Sequence, residues 1–229
     1  MSKFWQQWWR LGGAAGIAFM IMFVIGVALQ TAPPLFDDPI DEIRADWVED
    51  GNQYLVADYV LGLAFVFFYI PFISALRGIL GRAEGGGNLW SRVSFIGGLI
   101  IMLWGAWASA FWGTLAFGDF AETASDETIQ TLMVLDYYSV VGMPLAFAVF
   151  VGGTSIVILQ TGVLRRWLVY LGMVEIVLSV LAPLAIFSAN SSSTFDTIYT
   201  ISFLILPLWI LLVSIVMLMI SDEPQLAIS

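Results

Sequence analysis

Six stretches of this chain are continuously apolar for about twenty residues or more, and that feature decides most of what the chain can become. A bilayer core about 30 Å thick is crossed by roughly 20 residues of α-helix. The runs fall at 11–30, 55–76, 93–117, 132–159, 167–189 and 198–220. They are uninterrupted rather than alternating, which excludes a transmembrane β-barrel, and helices satisfy their own backbone hydrogen bonds in lipid. The expectation is an all-α, polytopic membrane protein, a single domain over residues 1–229 with six transmembrane helices in one bundle. Composition agrees: 60% of residues are hydrophobic and 11% charged, against about a quarter charged in soluble domains.

The basic residues orient the bundle. Lys3 and Arg10 precede the first run, Arg77, Arg82 and Arg92 lie between the second and third, and Arg165 and Arg166 between the fourth and fifth. Seven of the eight cations therefore share one side, which the positive-inside rule makes cytoplasmic, with both termini there too. The opposite side carries nearly all the acids, including Asp37, Asp38, Asp41, Glu42, Asp46, Glu49 and Asp50, against Arg44 alone. The predicted compartment is the cytoplasmic (inner) membrane with acidic loops outside. No basic patch suits nucleic acid. The first run offers no small-x-small cleavage site near Ala28 to Ala32 and reads as a retained helix.

Between the runs, Trp5, Trp8 and Trp9 share one face and predict a short N-terminal interfacial helix at headgroup level. In the first outer loop, Asp38-Pro39 reads as an N-cap and first helical residue, with Asp41 and Glu42 in the first turn. Ile40, Ile43 and Trp47 recur at helical spacing, predicting an amphipathic helix over 39–50 that Gly51-Asn52 ends, its apolar stripe resting on the outer mouth of the bundle. The Asp-x-Asp-x-Asp-Gly spacing of a calcium loop is missing there. Gly85-Gly86-Gly87 reads as a turn, since neither a preceding strand nor a following Gly-Lys-Ser/Thr makes it a phosphate loop. Asn190-Ser191-Ser192 fits a glycosylation sequon, usable only on a eukaryotic secretory route. Gly105, Ser109 and Gly113, four apart, form a small-residue strip for close helix packing, within the monomer or at a homodimer seam. Pro71, Pro144, Pro183 and Pro207 each remove a helical hydrogen bond and predict kinks; the fourth run must tilt, bend at Pro144 or Gly152-Gly153, or protrude outward.

The chain contains no Cys and no His. That excludes disulfides, thiolate nucleophiles, zinc or haem held by such ligands, and His-based triads. Retinal is excluded because the only lysine, Lys3, precedes the first run. No cofactor, metal ligand set or catalytic residue is assigned. What remains are ionisable groups inside the runs, each costing about 2.5 to 3.5 kcal/mol on insertion scales and so marking function by default. Asp58 and Asp136 belong near the outer interface, where exposure to water, capping a helix or pairing with Arg44 is the plain account. Glu175, eight residues beyond Trp167, falls roughly 12 Å deep. It has no basic partner there and must be protonated, hydrogen-bonded or hydrated. Asp58-Tyr59 and Asp136-Tyr137-Tyr138 head helices of the same direction and suggest a degenerate repeat of helices 2–3 and 4–5. Glu175, Asp136 and Asp58, with Tyr59, Tyr137 and Tyr138, are the candidate ligand-binding residues.

Trp9-Arg10-Leu11-Gly12-Gly13, the acidic first loop, Asp58-Tyr59, Leu135-Asp136-Tyr137-Tyr138 and Thr161-Gly162-Val163-Leu164-Arg165-Arg166-Trp167-Leu168 together resemble a group of uncharacterised bacterial six-helix integral membrane proteins, a domain of unknown function. The resemblance covers nearly the whole chain and implies fold and compartment, adding no catalytic residue. Three functions are weighed. Small-ligand, cation or proton binding or transport expects Glu175 and at least one aspartate on a common polar cavity. A non-catalytic accessory or scaffolding subunit, in a homo-oligomer or larger membrane complex, expects an exposed packing seam and dry, satisfied acids. A carboxylate-dependent enzyme expects Asp58 and Asp136 as a close pair.

Overall fold

A computed structural model describes residues 3–30, 33–187 and 194–220, with side chains from Trp8 onward. Among the described residues, six helical stretches are long and apolar enough to cross a membrane: Trp8–Leu29, Ile40–Glu84, Leu89–Leu115, Asp126–Thr161, Trp167–Phe187 and Thr194–Met219. The helices are α1 (Lys3–Leu29), α2 (Ile40–Ala64), α3 (Ile70–Glu84), α4 (Leu89–Leu115), the single turn α5 (Phe120–Thr123), α6 (Asp126–Gly142), α7 (Pro144–Thr161), α8 (Trp167–Leu181) and α9 (Thr194–Met219). Each span packs on the next in chain order and α9 closes back on α1, while α7 reaches across to α3 and α9. Up-and-down alternation gathers Arg10, Arg77, Arg82, Arg92, Arg165 and Arg166 at one end and the acidic loops at the other.

Two expected short helices are parts of longer ones. No separate interfacial helix precedes the first span, because α1 runs unbroken from Lys3. Its Gly12, Gly13 and Gly16 are a packing face rather than a break, since a Cβ at Gly12 would overlap Ala75 and one at Gly16 would overlap Ser214. Of the predicted tryptophan face, Trp5 lies outside the described side chains, Trp8 is exposed and Trp9 is buried in the core. The outer amphipathic helix likewise does not end at Gly51-Asn52. It starts at Ile40 and continues through both residues as α2. Gly51 is buried with Ala116 in contact range of a Cβ placed on it, so tertiary packing holds a residue that local propensity would release. Asp38 does not cap α2 either; its carboxylate accepts from the Leu35 N–H at 2.7 Å, tightening the preceding turn. The predicted apolar stripe does seat on the bundle: Ile43 and Trp47 are buried with Tyr54, Leu115, Ile129 and Met133 in a small outer core.

The prolines act differently from one another. Ahead of Pro71, residues Phe65–Tyr69 form a π-helical turn, where an Ile70 N–H to Phe65 O bond bridges the residue whose donor is lost. At Pro144 the chain breaks at Met143, between α6 and α7, while Gly152-Gly153 stays helical. Around Pro183 the end of α8 tightens into a 3-10 turn, Ala182–Phe187. α9 passes through Pro207 without interruption.

The closest approach between spans is not at Gly105, Ser109 and Gly113. A Cβ on Gly113 would meet nothing within 4 Å, and one on Gly105 only the Phe65 ring at 3.9 Å. α4 instead meets α7 about two to three turns before Gly105. There a Cβ on Gly97 would stand 2.6 Å from Phe150 N and one on Gly153 would stand 2.7 Å from Ser94 N. Backbone-to-backbone contact of this kind needs glycine. Ser94 and Thr154 share a buried 2.7 Å hydrogen bond across the same seam. The Asn190 sequon lies outside the described residues.

Candidate functional site

Glu175 projects from the middle of α8 toward α7 and α9 and has no accessible surface. Two residues on its own face shape its surroundings, as side chains three and four apart on a helix are neighbours. Gly172 lets α8 close on α7, since a Cβ there would sit 2.8 Å from Ser155 Oγ and 3.0 Å from Val151 Cγ1. Ser179 donates its hydroxyl to Glu175 Oε1 at 2.9 Å. Ser202 of α9 reaches the same oxygen at 2.9 Å, and the two hydroxyls stand 3.1 Å apart. Glu175 Oε2 is buried with no partner among the described residues, and so is Ser155 Oγ. A group with zero accessible surface borders no void that admits water. The carboxyl is therefore dry, clamped on one oxygen and open on the other.

The two aspartates lie toward the acidic end of the bundle. Asp58, in the last turns of α2, accepts from Ser109 of α4 at 2.8 Å. Asp136, on α6, faces the indole N–H of Trp112, with the Asp58 charge also acting on it. Ser109 and Trp112 are three apart on α4, so a single face of that helix brings the two carboxylates together. Trp112 is held in place by edge-on packing against Trp47 and Tyr54, with ring centroids 5.7 and 5.5 Å away. Asp136 Oδ1 is buried without a partner among the described residues.

Neither aspartate caps a helix or pairs with Arg44. That guanidinium donates to the carbonyls of Ala121 and Ala124 (3.0 Å) and forms an ion pair with Asp126 at 2.5 Å. It thereby satisfies the carbonyls that α5 leaves exposed at its end, which outcompetes a buried carboxylate it would have to desolvate to reach. Ser109, read from its spacing as a packing residue, is instead the donor to Asp58.

Glu175 does not share an open cavity with the aspartates, because it is sealed from any void. One face of α9 carries a residue near each, Tyr199 and Ser202, three apart. Tyr199 lies within range of the Asp136 charge, and Ser202, about 4.5 Å further along the axis, bonds Glu175. Tyr137 is turned elsewhere, donating to Asp196 at 2.9 Å with the Ala185 carbonyl at 3.2 Å. Tyr59 and Tyr138 are 67% and 51% exposed, and the Tyr138 ring packs edge-on against Tyr137 with centroids 6.1 Å apart.

Sequence reasoning missed Ser179, Ser202, Tyr199 and Trp112. Only Ser179 carried a signal, its position four residues after Glu175. The others come from helices whose neighbours the sequence does not name. Among the described residues there is no cluster of three or more His, Cys, Asp or Glu suited to a metal ion. No family model, curated protein or solved structure matches the chain.

Proposed function

We propose that this is a multi-pass protein of the cytoplasmic membrane that binds a proton at Glu175 and exchanges it with the outer face through the Asp58–Asp136 pair. The observation that carries the reading is the carboxyl of Glu175, wholly buried, with two serine hydroxyls on Oε1 and nothing on Oε2. An ionised carboxylate in that position would be a buried charge with no counter-charge, whereas a proton on Oε2 removes the penalty. The dryness of the site favours a proton over a metal cation, which needs about six oxygen ligands and here finds four, the two carboxyl oxygens and two serine hydroxyls. The route to it is short: two adjacent carboxylates, one with an open oxygen, then Tyr199, then Ser202 and Ser179. The clustering of arginines at one end and acids at the other supports both termini being cytoplasmic and the aspartates facing outward.

The accessory-subunit reading has one observation in its favour. Around Gly113 the outer half of α4 faces open space, and Trp107 is exposed nearby, so a helix of a second copy or of another subunit would fit there. The two readings are compatible. The carboxylate-enzyme reading gains only the proximity of Asp58 and Asp136.

The test is infrared difference spectroscopy of the full chain in lipid nanodiscs as bulk pH is stepped, paired with dye-reported proton flux in liposomes. The expected result is a protonated-carboxyl band that changes with pH, disappears in Glu175→Gln and is accompanied by flux that the same variant loses. A Glu175 band that never changes with pH, with flux equal in wild type and variant, overturns the proposal and leaves a neutral glutamate that locks α8 to α9.

A further inference from the structure

The arginine-rich end of the bundle contains a cleft that the proton reading does not use. It lies where α3 turns into α4, has a volume of about 280 Å³, and is lined by Arg77, Arg82, Arg92, Ser74, Ser91 and Gly78 among others. At ~30 Å³ per molecule of liquid water that is room for about nine waters, enough for a phosphate with its substituents. Three of the eight basic residues of the chain converge on this one cleft.

Two of the three guanidiniums are held in place by aromatic rings. Arg77 stands 5.0 Å from the centre of the Phe95 ring of α4. Arg82 stands 5.7 Å from that of Trp9 of α1. Stacking of this kind restricts a long side chain, and at Arg77 it leaves the N–H edge available. Neither Arg77 nor Arg92 forms an ion pair among the described residues. The nearby acid, Glu84, is committed elsewhere: its two oxygens accept the N–H groups of Trp90 and Ser91 at 2.8 and 2.9 Å, capping the start of α4. Arg77 and Arg92, without ion-pair partners among the described residues, beside one engaged carboxylate leave the cleft positive. The Ser74 hydroxyl on its wall adds a donor suited to an oxyanion, while that of Ser91 is given to the Asn88 carbonyl at 3.2 Å.

We infer that this cleft binds a phosphate group, carried by an anionic lipid headgroup or by a soluble phosphate. Guanidinium forks match phosphate oxygens, and a basic pocket between spans at the membrane surface is where such a headgroup would sit. The triglycine turn that follows α3 has no part in it; the site is made of side chains.

The test uses the full chain in two kinds of nanodisc, pure phosphatidylcholine and an equimolar mixture with phosphatidylglycerol. Native mass spectrometry counts the lipid retained, and inorganic phosphate is titrated in the pure phosphatidylcholine discs while unfolding temperature is followed. Arg77→Gln and Arg92→Gln remove charge. Gly78→Leu keeps every charge but fills the cleft, and a Cβ at Gly78 meets nothing within 4 Å, so the helix accepts it. Phosphatidylglycerol retained in preference, reduced about fivefold by each arginine substitution and also by Gly78→Leu, assigns a lipid headgroup. Stabilisation by inorganic phosphate, lost in the same three variants, assigns a soluble phosphate. A lipid preference that survives Gly78→Leu reflects surface charge alone and overturns the inference, as does the absence of both effects. If an arginine variant unfolds in pure phosphatidylcholine, Gly78→Leu still decides.

Discussion

Replacing Gly97 by alanine would drive a methyl group into the backbone of α7. The added Cβ would lie 2.6 Å from Phe150 N, 2.9 Å from Phe150 Cα and 3.1 Å from Val149 C, where ordinary contact begins at 3.4 Å. None of these atoms is the end of a side chain that could swing away. α4 and α7 must therefore separate locally by about 0.8 Å, an overpacking strain of about 1–3 kcal/mol. The same separation stretches the buried Ser94–Thr154 hydrogen bond, a further loss of about 0.6 kcal/mol for a bond of this kind in a membrane protein. Alanine's better helix propensity returns about 1 kcal/mol. The net expectation is a loss of about 0.6–2.6 kcal/mol. Gly113→Ala has the same propensity gain and no clash, so it should be neutral or stabilising by up to about 1 kcal/mol. Reversible unfolding in mixed micelles, followed by tryptophan fluorescence, measures both. Equal effects of the two substitutions, or a larger loss at Gly113, would refute the placement of the tight seam at Gly97 and Gly153 and return it to the Gly105–Ser109–Gly113 strip.

Ser202→Ala removes one of two donors to Glu175 Oε1 and should cost about 0.6–1.7 kcal/mol; combined with Ser179→Ala in a double-mutant cycle the effects should be non-additive, because the two hydroxyls share one acceptor. Tyr199→Phe leaves the packing on Phe203 intact but removes a hydroxyl that lies within range of the Asp136 charge, so on the proposed route liposome flux should slow while the unfolding temperature holds; unchanged flux would exclude Tyr199 from the route. Arg44→Ala should lower stability by about 1–2 kcal/mol and raise amide exchange specifically over 120–126, whereas Asp126→Asn, on a 66% exposed carboxylate, should stay within about 0.5 kcal/mol.

Much of the fold was legible because its signals are local. A span announces itself by twenty apolar residues in a row, and each of the six runs lies on a spanning helix. The stripe of Ile43 and Trp47 is a matter of periodicity, and both are buried as their spacing indicated. Glu175 stood out because a carboxyl amid apolar residues is costly wherever the helix turns, and Ser179 lay four residues away on the same face. Boundaries were less legible. Gly51-Asn52 has the composition of a helix end, yet the chain continues through it because Gly51 is pressed on Ala116, 65 positions away in sequence. Arg44 illustrates the limit on partners: as the outer side's single cation it invited pairing with the intramembrane acids, but its guanidinium found backbone carbonyls and a wet aspartate that demand less desolvation.

The sequence by itself determined the class of the protein, its spans, the separation of positive from negative ends, the absence of Cys and His chemistry, and the identity of the costly carboxyl groups. All of these follow from residue type and short-range spacing. Only the tertiary structure decided which small residues touch, that α4 gathers Asp58 and Asp136 through Ser109 and Trp112, and that Ser202 of α9 bonds Glu175 while Tyr199, three residues before it, lies within range of the Asp136 charge. It also gathered three arginines, spaced for topology, around one cleft. The physical reason is that helix faces of similar composition compete for neighbours in lipid, where apolar area no longer discriminates. Backbone approach at a few glycines and single hydrogen bonds between distant segments choose among them.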